Sequence, residues 1–231
     1  MAAEIEKPEL VMIVGGMFSG KTDWLQHRAN EYLIDPRYRK LVVWFRPQRD
    51  SRQADREQIK SHRGVKISKK VLKATIIKNP QELYRKALDF QVIIIDEAQF
   101  LDPSLAGVVF LLHLAGKKLF VAGLDLDWCS DPFPTMQAVM FLPGVKVFHV
   151  KGLCRICGKK ATMSQLLDKN GNPVSIEDGK PRIIVGGKEK YRPLCAHCWF
   201  ETTPGTRIAM RQKLSWLKPD DFARILVPKM V

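Results

Sequence analysis

The sequence contains little cysteine and no long apolar run, and each absence excludes a class of protein. Only five of its 231 residues are cysteine. Four of these form two C-x-x-C pairs, which favours metal binding in a reducing compartment over disulfides. The longest apolar run, residues 105–115, is shorter than the about 20 residues of a membrane-spanning helix. The first residues include Glu4 and Glu6 and lack the apolar segment of a signal peptide. We therefore predict a cytoplasmic protein without a membrane partner.

Acidic residues are scarce relative to basic ones. The chain has 24 Asp and Glu residues against 38 Lys and Arg residues, which gives a net charge of +14. A dense basic run comprises Lys60, Arg63, Lys66, Lys69, Lys70, Lys73 and Lys78. Aromatic residues do not alternate with these side chains, and no recognised nucleic-acid-binding module accompanies them. We favour a solvated basic face that attracts anionic nucleotides. An ATP-dependent nucleic-acid-binding protein is the disfavoured alternative.

Residues 15–22 have the form G-x-x-x-x-G-K-T and follow the apolar run at residues 10–14. An apolar strand, a glycine-rich turn and a helix in this order predict a phosphate-binding loop. Lys21 would reach the β- and γ-phosphates of ATP, and the Thr22 hydroxyl would ligate Mg²⁺. The backbone of the loop, with the helix N-terminus behind it, would surround the triphosphate. The loop residues expected to do so are Gly15, Gly16, Met17, Phe18, Ser19 and Gly20.

A second apolar run, residues 91–95, ends in Asp96 and Glu97, as in a Walker B motif. The Asp96 carboxylate would hold the Mg²⁺ that Thr22 contacts. Glu97 would orient water in an ATPase or accept a proton from a substrate hydroxyl in a kinase, and the motif alone fits both. Residues 96–99 also resemble the acidic motif of helicases, but two tandem nucleotide-binding domains would not fit this chain.

Strand and helix patterns alternate along the first 150 residues. Continuous apolar or β-branched runs predict strands at residues 10–14, 40–45, 71–77, 91–96, 118–123 and 145–150. Helices are predicted at 23–34, at 80–89 with Asn79 as N-cap, and from 102 to about 115. Pro47 is expected to end the second strand, and residues 48–64 read as a long loop. This alternation predicts an α/β fold with a mainly parallel sheet.

The cysteine pairs Cys154-x-x-Cys157 and Cys195-x-x-Cys198 offer the four thiolates of a tetrahedral structural Zn²⁺ site. The gap between the pairs is longer than the usual about 15–20 residues of a zinc ribbon. It contains turn-forming residues, including Gly186 and Gly187 near its end. The excess chain is a candidate lid over a small substrate, and a merely structural extension is the alternative.

Taken together, these motifs resemble the type II thymidine kinase family over residues 11–199. The resemblance also includes Asp50-Ser51-Arg52, Ser61-His62, the stretch from Ile95 to Phe100, residues 122–125 and Pro132-Phe133. It implies a P-loop, RecA-like parallel-sheet domain at residues 1–150 and a small zinc-binding lasso domain at 151–200. Residues 201–231 form a C-terminal tail beyond the resemblance. The resemblance also implies a homotetramer.

The resemblance also implies an activity and a set of site residues. The reaction would transfer the ATP γ-phosphate to the 5′-hydroxyl of thymidine or deoxyuridine, in pyrimidine deoxynucleotide salvage. Glu97 would accept the proton, with Lys21 and Arg52 as further catalytic residues and Asp50 near the phosphates. The residues implied for the nucleoside pocket are Met17, Phe100, Leu124, Trp128, Phe133, Thr162, Ile184, Gly186 and Tyr191.

The chain departs from the family pattern at three places. Trp128 stands where phenylalanine is usual, and Cys129-Ser130-Asp131 replaces a segment that is usually basic. The arginine usual a few positions after the lasso threonine is missing around Ser164-Gln165. These departures concern the substrate pocket and not the phosphate-binding motifs.

Overall fold

The structure, a computed structural model, describes residues 7–50 and 72–216. Within them a central sheet is formed by the six strands β1 (Leu10–Val14), β2 (Val42–Pro47), β3 (Ala74–Ile77), β4 (Val92–Ile95), β5 (Lys118–Gly123) and β6 (Lys146–His149). Every pairing in this sheet is parallel, and the strand order is β3-β2-β4-β5-β1-β6. The predicted α/β fold with a parallel sheet is therefore confirmed.

Four helices connect these strands: α1 (Lys21–Ile34), α2 (Pro80–Ala87), α3 (Leu105–Leu114) and α4 (Pro134–Met140). The predicted cap of α2 is confirmed, because the Asn79 side chain accepts a hydrogen bond of 2.8 Å from the Glu82 N–H. The predicted start of α3 at Asp102 is wrong. The Asp102 carboxylate instead accepts the Ser104 N–H at 2.9 Å in a local turn, and the helix begins at Leu105, three residues after the predicted start.

The prediction that Pro47 ends the second strand is confirmed. Pro47 is the last residue of β2 and lies opposite Ile77 of β3. The pairing of β2 with β4 ends earlier, at Phe45. A proline at this end of the strand therefore removes no N–H from the β4 ladder.

Helices cover both faces of the sheet. On one face, Leu25 and Ala29 of α1 pack with Ile13 and other strand residues in one apolar cluster. On the other face, residues of α2, α3 and α4 pack with Met12 and Val14 in a second cluster. Because consecutive strand residues point to opposite faces, the strands β1 to β5 each contribute to both cores. Both faces of the sheet are therefore packed against apolar side chains of the helices.

A smaller unit follows the sheet. It contains the short antiparallel pair β7 (Gly152–Leu153) and β8 (Lys160–Ala161) and the antiparallel pair β9 (Met163–Leu166) and β10 (Tyr191–Leu194). Two helices come next, α5 (Ala196–Thr202) and α6 (Thr206–Lys213). Cys154, Cys195 and Cys198 pack with Leu194 and Trp199 in an apolar cluster of this unit. Among the described residues, no helix is both long enough and apolar enough to cross a lipid bilayer.

Candidate active site

The glycine-rich loop between β1 and α1 has the conformation that a phosphate-binding loop requires. Gly15 has φ of 151°, and a Cβ atom there would lie 2.1 Å from the Val150 carbonyl oxygen. Gly20 has φ of 95° immediately before the helix begins at Lys21. The Lys21 Nζ donates hydrogen bonds of 2.8 Å to the carbonyl oxygens of Gly15 and Gly16. The loop therefore curls around the ammonium group, and the N-terminus of α1 faces it.

Asp96 follows β4 and lies next to this loop. β5 separates β4 from β1 in the sheet, but both strands end at the same edge. The Thr22 hydroxyl donates a hydrogen bond of 3.2 Å to Asp96 Oδ2. Thr22 and Asp96, the two predicted Mg²⁺ ligands, are thus in contact. A hydroxyl and a carboxylate are oxygen ligands of the kind that Mg²⁺ prefers.

Arg46, which the sequence interpretation missed, lies between two buried carboxylates. Its Nη2 lies 3.4 Å from Asp96 Oδ2, and its Nε lies 3.7 Å from Asp50 Oδ2. All three side chains are buried. Removing one member of a buried group of charges leaves the other charges uncompensated. This lowers the free energy of unfolding far more than the loss of an ion pair at the surface. Nothing in the local pattern marks Arg46, because it occupies an ordinary position near the end of a strand.

Glu97 is held in a conformation that is uncommon for its residue type. Its backbone lies in the left-handed region, with φ of 55° and ψ of 38°. Its N–H donates a hydrogen bond of 3.0 Å to Asp96 Oδ1, and its Oε2 accepts one of 2.6 Å from Gln99 Nε2. Left-handed backbone at a non-glycine residue costs about 1–3 kcal/mol and is concentrated at functional sites. The side chain is 9% exposed and faces the main cavity.

The main cavity has a volume of about 1120 Å³. One wall is the phosphate-binding loop together with Arg46, Asp50 and Glu97. The other lining residues belong to the cysteine-containing unit and comprise Leu153, Cys154, Arg155, Gly158, Val185, Gly186, Gly187, Lys188, Glu189 and Pro193. Part of the predicted lid segment thus lines the same cavity as the phosphate-binding residues.

A second, much smaller cavity of about 20 Å³ adjoins the first at Met17 and Gly186. Its lining includes all of the nucleoside-pocket residues implied by the resemblance except Thr162. These are Met17, Phe100, Leu124, Trp128, Phe133, Ile184, Gly186 and Tyr191. Thr162 lines neither of these two cavities, and its backbone N–H donates to the Leu194 carbonyl at 3.0 Å. The structure thus gathers most of that set at one place.

The segment of residues 181–189, here called the lasso loop, is fastened over the second cavity. The Trp128 indole N–H donates a hydrogen bond of 3.1 Å to the Pro181 carbonyl. The Tyr191 hydroxyl donates one of 2.6 Å to the Ile184 carbonyl. Tryptophan in place of phenylalanine therefore supplies a donor that phenylalanine lacks. The departure from the family pattern at Trp128 thus adds a hydrogen bond to the lasso loop.

Arg182 of the lasso loop pairs with two aspartates. Its Nη2 lies 2.6 Å from Asp131 Oδ2, and its Nη1 lies 3.5 Å from Asp127 Oδ2. Lys213 of α6 also contacts Asp131, at 2.5 Å. Burial raises the pKa of Asp127, although N–H groups and Arg182 act in the opposite direction. The acidic residue at 131, where a basic segment is usual, is thus matched by a cation on the loop.

Ser164 is a further site residue that the sequence interpretation did not assign. Its hydroxyl oxygen accepts a hydrogen bond of 3.0 Å from the Met17 N–H. The residue is buried and lines the second cavity. This bond attaches β9 directly to the phosphate-binding loop. It joins residues 147 positions apart, so no local sequence signal could have revealed it.

Arg52, predicted as a catalytic residue, lies outside the described residues, as do Ser51, Ser61 and His62. Asp50 is the last described residue before that gap and is buried beside Arg46. The role assigned to Arg52 stays a prediction.

The four paired cysteines form a cluster that fits a zinc ion. The sulfur atoms of Cys154, Cys157, Cys195 and Cys198 all lie within 4.8 Å of one another. Tetrahedral coordination with Zn–S distances of about 2.3 Å separates the sulfurs by about 3.8 Å. Burial opposes ionisation of Cys154, but the backbone N–H groups of Cys157 and Cys195 help to lower the pKa of its thiol to about 6. A thiolate is the form that binds zinc.

We expect Cys157→Ser to reduce the zinc content of the purified protein well below one ion per chain. Cys157 is the exposed member of the cluster, so the substitution changes coordination with little effect on packing. Affinity should fall by more than the about 10–100-fold cost of losing an outer-shell partner. Elemental analysis measures zinc, and Cys129→Ser, a buried cysteine outside the cluster, is the control. Full zinc occupancy in Cys157→Ser would exclude a four-cysteine site.

Sequence comparisons with known proteins identify the family of this chain. The family model described as thymidine kinase matches residues 8–199. A thymidine kinase of Onion yellows phytoplasma is 33% identical over 190 residues, which cover 81% of this chain and 85% of that protein. The thymidine kinase of Pyrobaculum aerophilum is 36% identical over 188 residues, covering 80% and 95% respectively. That of Coprothermobacter proteolyticus is 36% identical over 186 residues, covering 80% and 87%.

Among solved structures, the crystal structure of Pif1 helicase from Candida albicans has a TM-score of 0.37 and 15% identity, over 67% of this chain and 38% of that chain. A likeness at this level supports no conclusion.

The parallel sheet, the phosphate-binding loop and the adjoining acidic residues define a P-loop nucleotide-binding protein. The match extends through the cysteine-containing unit and covers most of the chain. The chain belongs to the thymidine kinase family, and it is an ATP-dependent nucleoside kinase.

Proposed function

We propose that this protein transfers the γ-phosphate of ATP to the 5′-hydroxyl of thymidine or deoxyuridine, with Glu97 as the proton acceptor. The observation that carries the proposal is the position of Glu97. Its carboxylate faces the cavity that the phosphate-binding loop lines. Through Gln99 it is also connected to Leu124 of the second cavity. One carboxylate thus stands between a triphosphate site and a pocket for an alcohol.

The triphosphate would lie on the loop formed by residues 15–22. Lys21 supports this placement, because its ammonium already lies against the loop carbonyls, where the β- and γ-phosphates would bind. The N–H groups at the start of α1 would add their positive dipole end. Arg46 and Asp50, which border the same cavity, would sit beside the transferred group.

We place Mg²⁺ at Thr22 and Asp96. Their contact at 3.2 Å provides a hydroxyl and a carboxylate, and this ion usually keeps several waters beside such ligands. Bound there, Mg²⁺ would neutralise charge on the phosphate oxygens. Arg46, which lies 3.4 Å from Asp96 Oδ2, would limit how far the carboxylate can turn toward the ion.

The nucleoside would occupy the second cavity, with its base among Phe100, Trp128, Phe133 and Tyr191. Aromatic faces and a few backbone groups are suitable contacts for a pyrimidine ring. The present volume of about 20 Å³ is well below the about 300 Å³ of typical ligand pockets. Binding therefore requires the lasso loop to move outward. The bonds of Trp128 and Tyr191 to that loop would re-form around the substrate or yield to it.

In the reaction, the 5′-oxygen would attack the γ-phosphorus while Glu97 takes the hydroxyl proton. The bond from the γ-phosphorus to the β,γ-bridging oxygen breaks, and ADP leaves. Such transfer depends mostly on positioning and charge stabilisation. The sheet domain and the cysteine-containing unit both line the cavity, so groups from both can position the reactants.

The test is a measurement of γ-labelled phosphate. Purified full-length protein with labelled ATP, Mg²⁺ and thymidine should yield labelled thymidine 5′-monophosphate in proportion to enzyme. Adding DNA without thymidine should release little phosphate. If ATP turnover requires DNA and ignores thymidine, the proposal is wrong, and the nucleic-acid-dependent alternative replaces it.

The proposal also covers the domain division, the oligomeric state, the location and the partners of the protein. We assign residues 1–150 to the kinase domain, 151–200 to a zinc-binding lasso domain and 201–231 to the tail. We propose a homotetramer in the cytoplasm, without a nucleic-acid partner. Apolar side chains exposed on and near α3 and α4, among them Leu111, Leu114 and Phe141, support self-association. The reduced state of the clustered cysteines suits a reducing compartment.

A further inference from the structure

We infer that Gln99 is a positioning residue for the reaction, and that it acts by holding the Glu97 carboxylate. The inference rests on the proposed function, because it presumes that Glu97 accepts the proton. Gln99 lies in the 3-10 turn Ala98–Phe100, directly after the acidic pair. Its side chain is 3% exposed, so its polar atoms depend on protein partners where water is excluded.

The two ends of the Gln99 amide have different partners. Nε2 donates a hydrogen bond of 2.6 Å to Glu97 Oε2. Oε1 accepts a hydrogen bond of 3.1 Å from the Leu124 N–H. A backbone N–H can only donate, so it requires the amide oxygen on its side. The amide nitrogen therefore faces Glu97, and the orientation of the side chain is fixed by chemistry.

The space for this amide is provided by Gly123, the last residue of β5. A Cβ atom at Gly123 would lie 2.6 Å from Gln99 Oε1 and 2.7 Å from Met136 Sδ. No larger residue fits there without displacing the Gln99 side chain. The carboxyl end of β5 is thus shaped around the amide that contacts Glu97.

Without this donor the Glu97 side chain would lose a hydrogen bond of 2.6 Å that helps to hold its rotamer. The backbone of Glu97 is in the left-handed region, directly before the 3-10 turn at residues 98–100. Glu97 therefore does not belong to a helix or a strand that could position its side chain. A hydrogen bond to a charged acceptor is about twice as strong as a neutral one. It holds Oε2 of the Glu97 carboxylate against the amide.

The same amide connects the proton acceptor with the nucleoside pocket. Leu124, whose N–H the amide accepts, lines the second cavity together with Gln99 itself. A nucleoside that contacts Leu124 would therefore also influence the position of the Glu97 carboxylate, through the two hydrogen bonds of the Gln99 amide. Gln99 thereby couples substrate binding to the orientation of the reacting carboxylate.

The test is a double-mutant cycle of Gln99→Met with Glu97→Gln. Methionine has a similar length and can neither donate nor accept a strong hydrogen bond. Alone, Gln99→Met should lower kcat by up to about 100-fold, as misplacement of a catalytic group does, with the KM for ATP unchanged. In the Glu97→Gln background it should change kcat by no more than about twofold, because the group on which it acts is gone. Gln137→Met, an exposed site on α4, is the control.

Gln99→Glu separates the two ends of the amide. This variant keeps an acceptor for the Leu124 N–H but places a second carboxylate against Glu97. It should lose kcat as strongly as Gln99→Met. If Gln99→Glu retains full kcat, or if the losses from Gln99→Met and Glu97→Gln multiply, the residue only supports the fold and the inference is overturned.

The two levels of the proposal fail in different ways. If Glu97→Gln itself keeps the kcat of the unmodified protein, the role of Glu97 is wrong, whatever Gln99 does. If Glu97→Gln is inactive while Gln99→Met and Gln99→Glu are fully active, only the inference about Gln99 fails. Thermal midpoints and ATP-analogue affinity show that each variant is folded. Should Gln99→Met fail to fold, the cycle is carried out with Gln99→Glu.

Discussion

Glu97→Gln is expected to lower kcat for thymidine phosphorylation by about 10²–10⁴-fold, the usual contribution of a general base. Glutamine has nearly the same shape as glutamate, but its amide cannot take up the hydroxyl proton. The ATP site should remain intact, since Lys21 and Thr22 hold the loop through contacts that do not involve Glu97. Single-turnover transfer and binding of an ATP analogue measure the two effects separately.

Glu31→Gln is the matched control, because Glu31 is an exposed residue of α1 that pairs with Arg28. It should leave kcat unchanged. A Glu97→Gln protein that phosphorylates thymidine at the original rate would show that another group accepts the proton. Loss of ATP-analogue binding in that variant would show instead that Glu97 belongs to the triphosphate site.

Lys21→Met should lower kcat by about 10²–10³-fold, comparable to the loss of one preorganised transition-state donor. The KM for ATP should also rise. Methionine keeps most of the side-chain volume and removes the ammonium group, which now lies 2.8 Å from two carbonyl oxygens of the loop. Two effects therefore combine: the phosphates lose a cation, and the loop carbonyls lose the donor that they surround. Steady-state kinetics over a range of ATP concentrations give both parameters.

Lys40→Met, at an exposed lysine before β2, controls for the loss of one positive charge from a strongly basic protein. Its kinetics should match those of the unmodified chain. The assignment of the loop fails if Lys21→Met keeps both kcat and the KM for ATP.

The phosphate-binding loop and the acidic pair were predictable because their chemistry is local. Glycines at fixed positions allow the backbone angles of the loop, and the apolar runs before Gly15 and Asp96 mark buried strands. The two cysteine pairs were predictable for a related reason. Four thiols in C-x-x-C spacing have few arrangements other than one metal site.

Contacts between distant parts of the chain could not be read from the sequence. Arg46 looks like an ordinary strand residue until the fold places it between Asp50 and Asp96. Ser164 meets Met17 only because β9 lies against the phosphate-binding loop. The insertion of β5 between β1 and β4 likewise depends on how helices pack on both faces of the sheet, which no short motif records.

Gln99 illustrates an intermediate case. Its place in the motif after Asp96 and Glu97 was visible, but its role was not. That role follows from the turn at residues 98–100, from the space left by Gly123 and from the Leu124 N–H. Three separate segments must be assembled before the amide has both of its partners. Sequence reasoning could identify the motif and had no means of orienting the side chain.

The most direct test is a crystal structure of the protein with thymidine, Mg²⁺ and a non-hydrolysable ATP analogue. We expect the triphosphate on residues 15–22, the nucleoside beneath the lasso loop, and a Glu97 carboxylate oxygen about 2.6–3.2 Å from the 5′-oxygen. A carboxylate turned away from that oxygen, or a nucleoside bound outside the second cavity, would contradict the central claim.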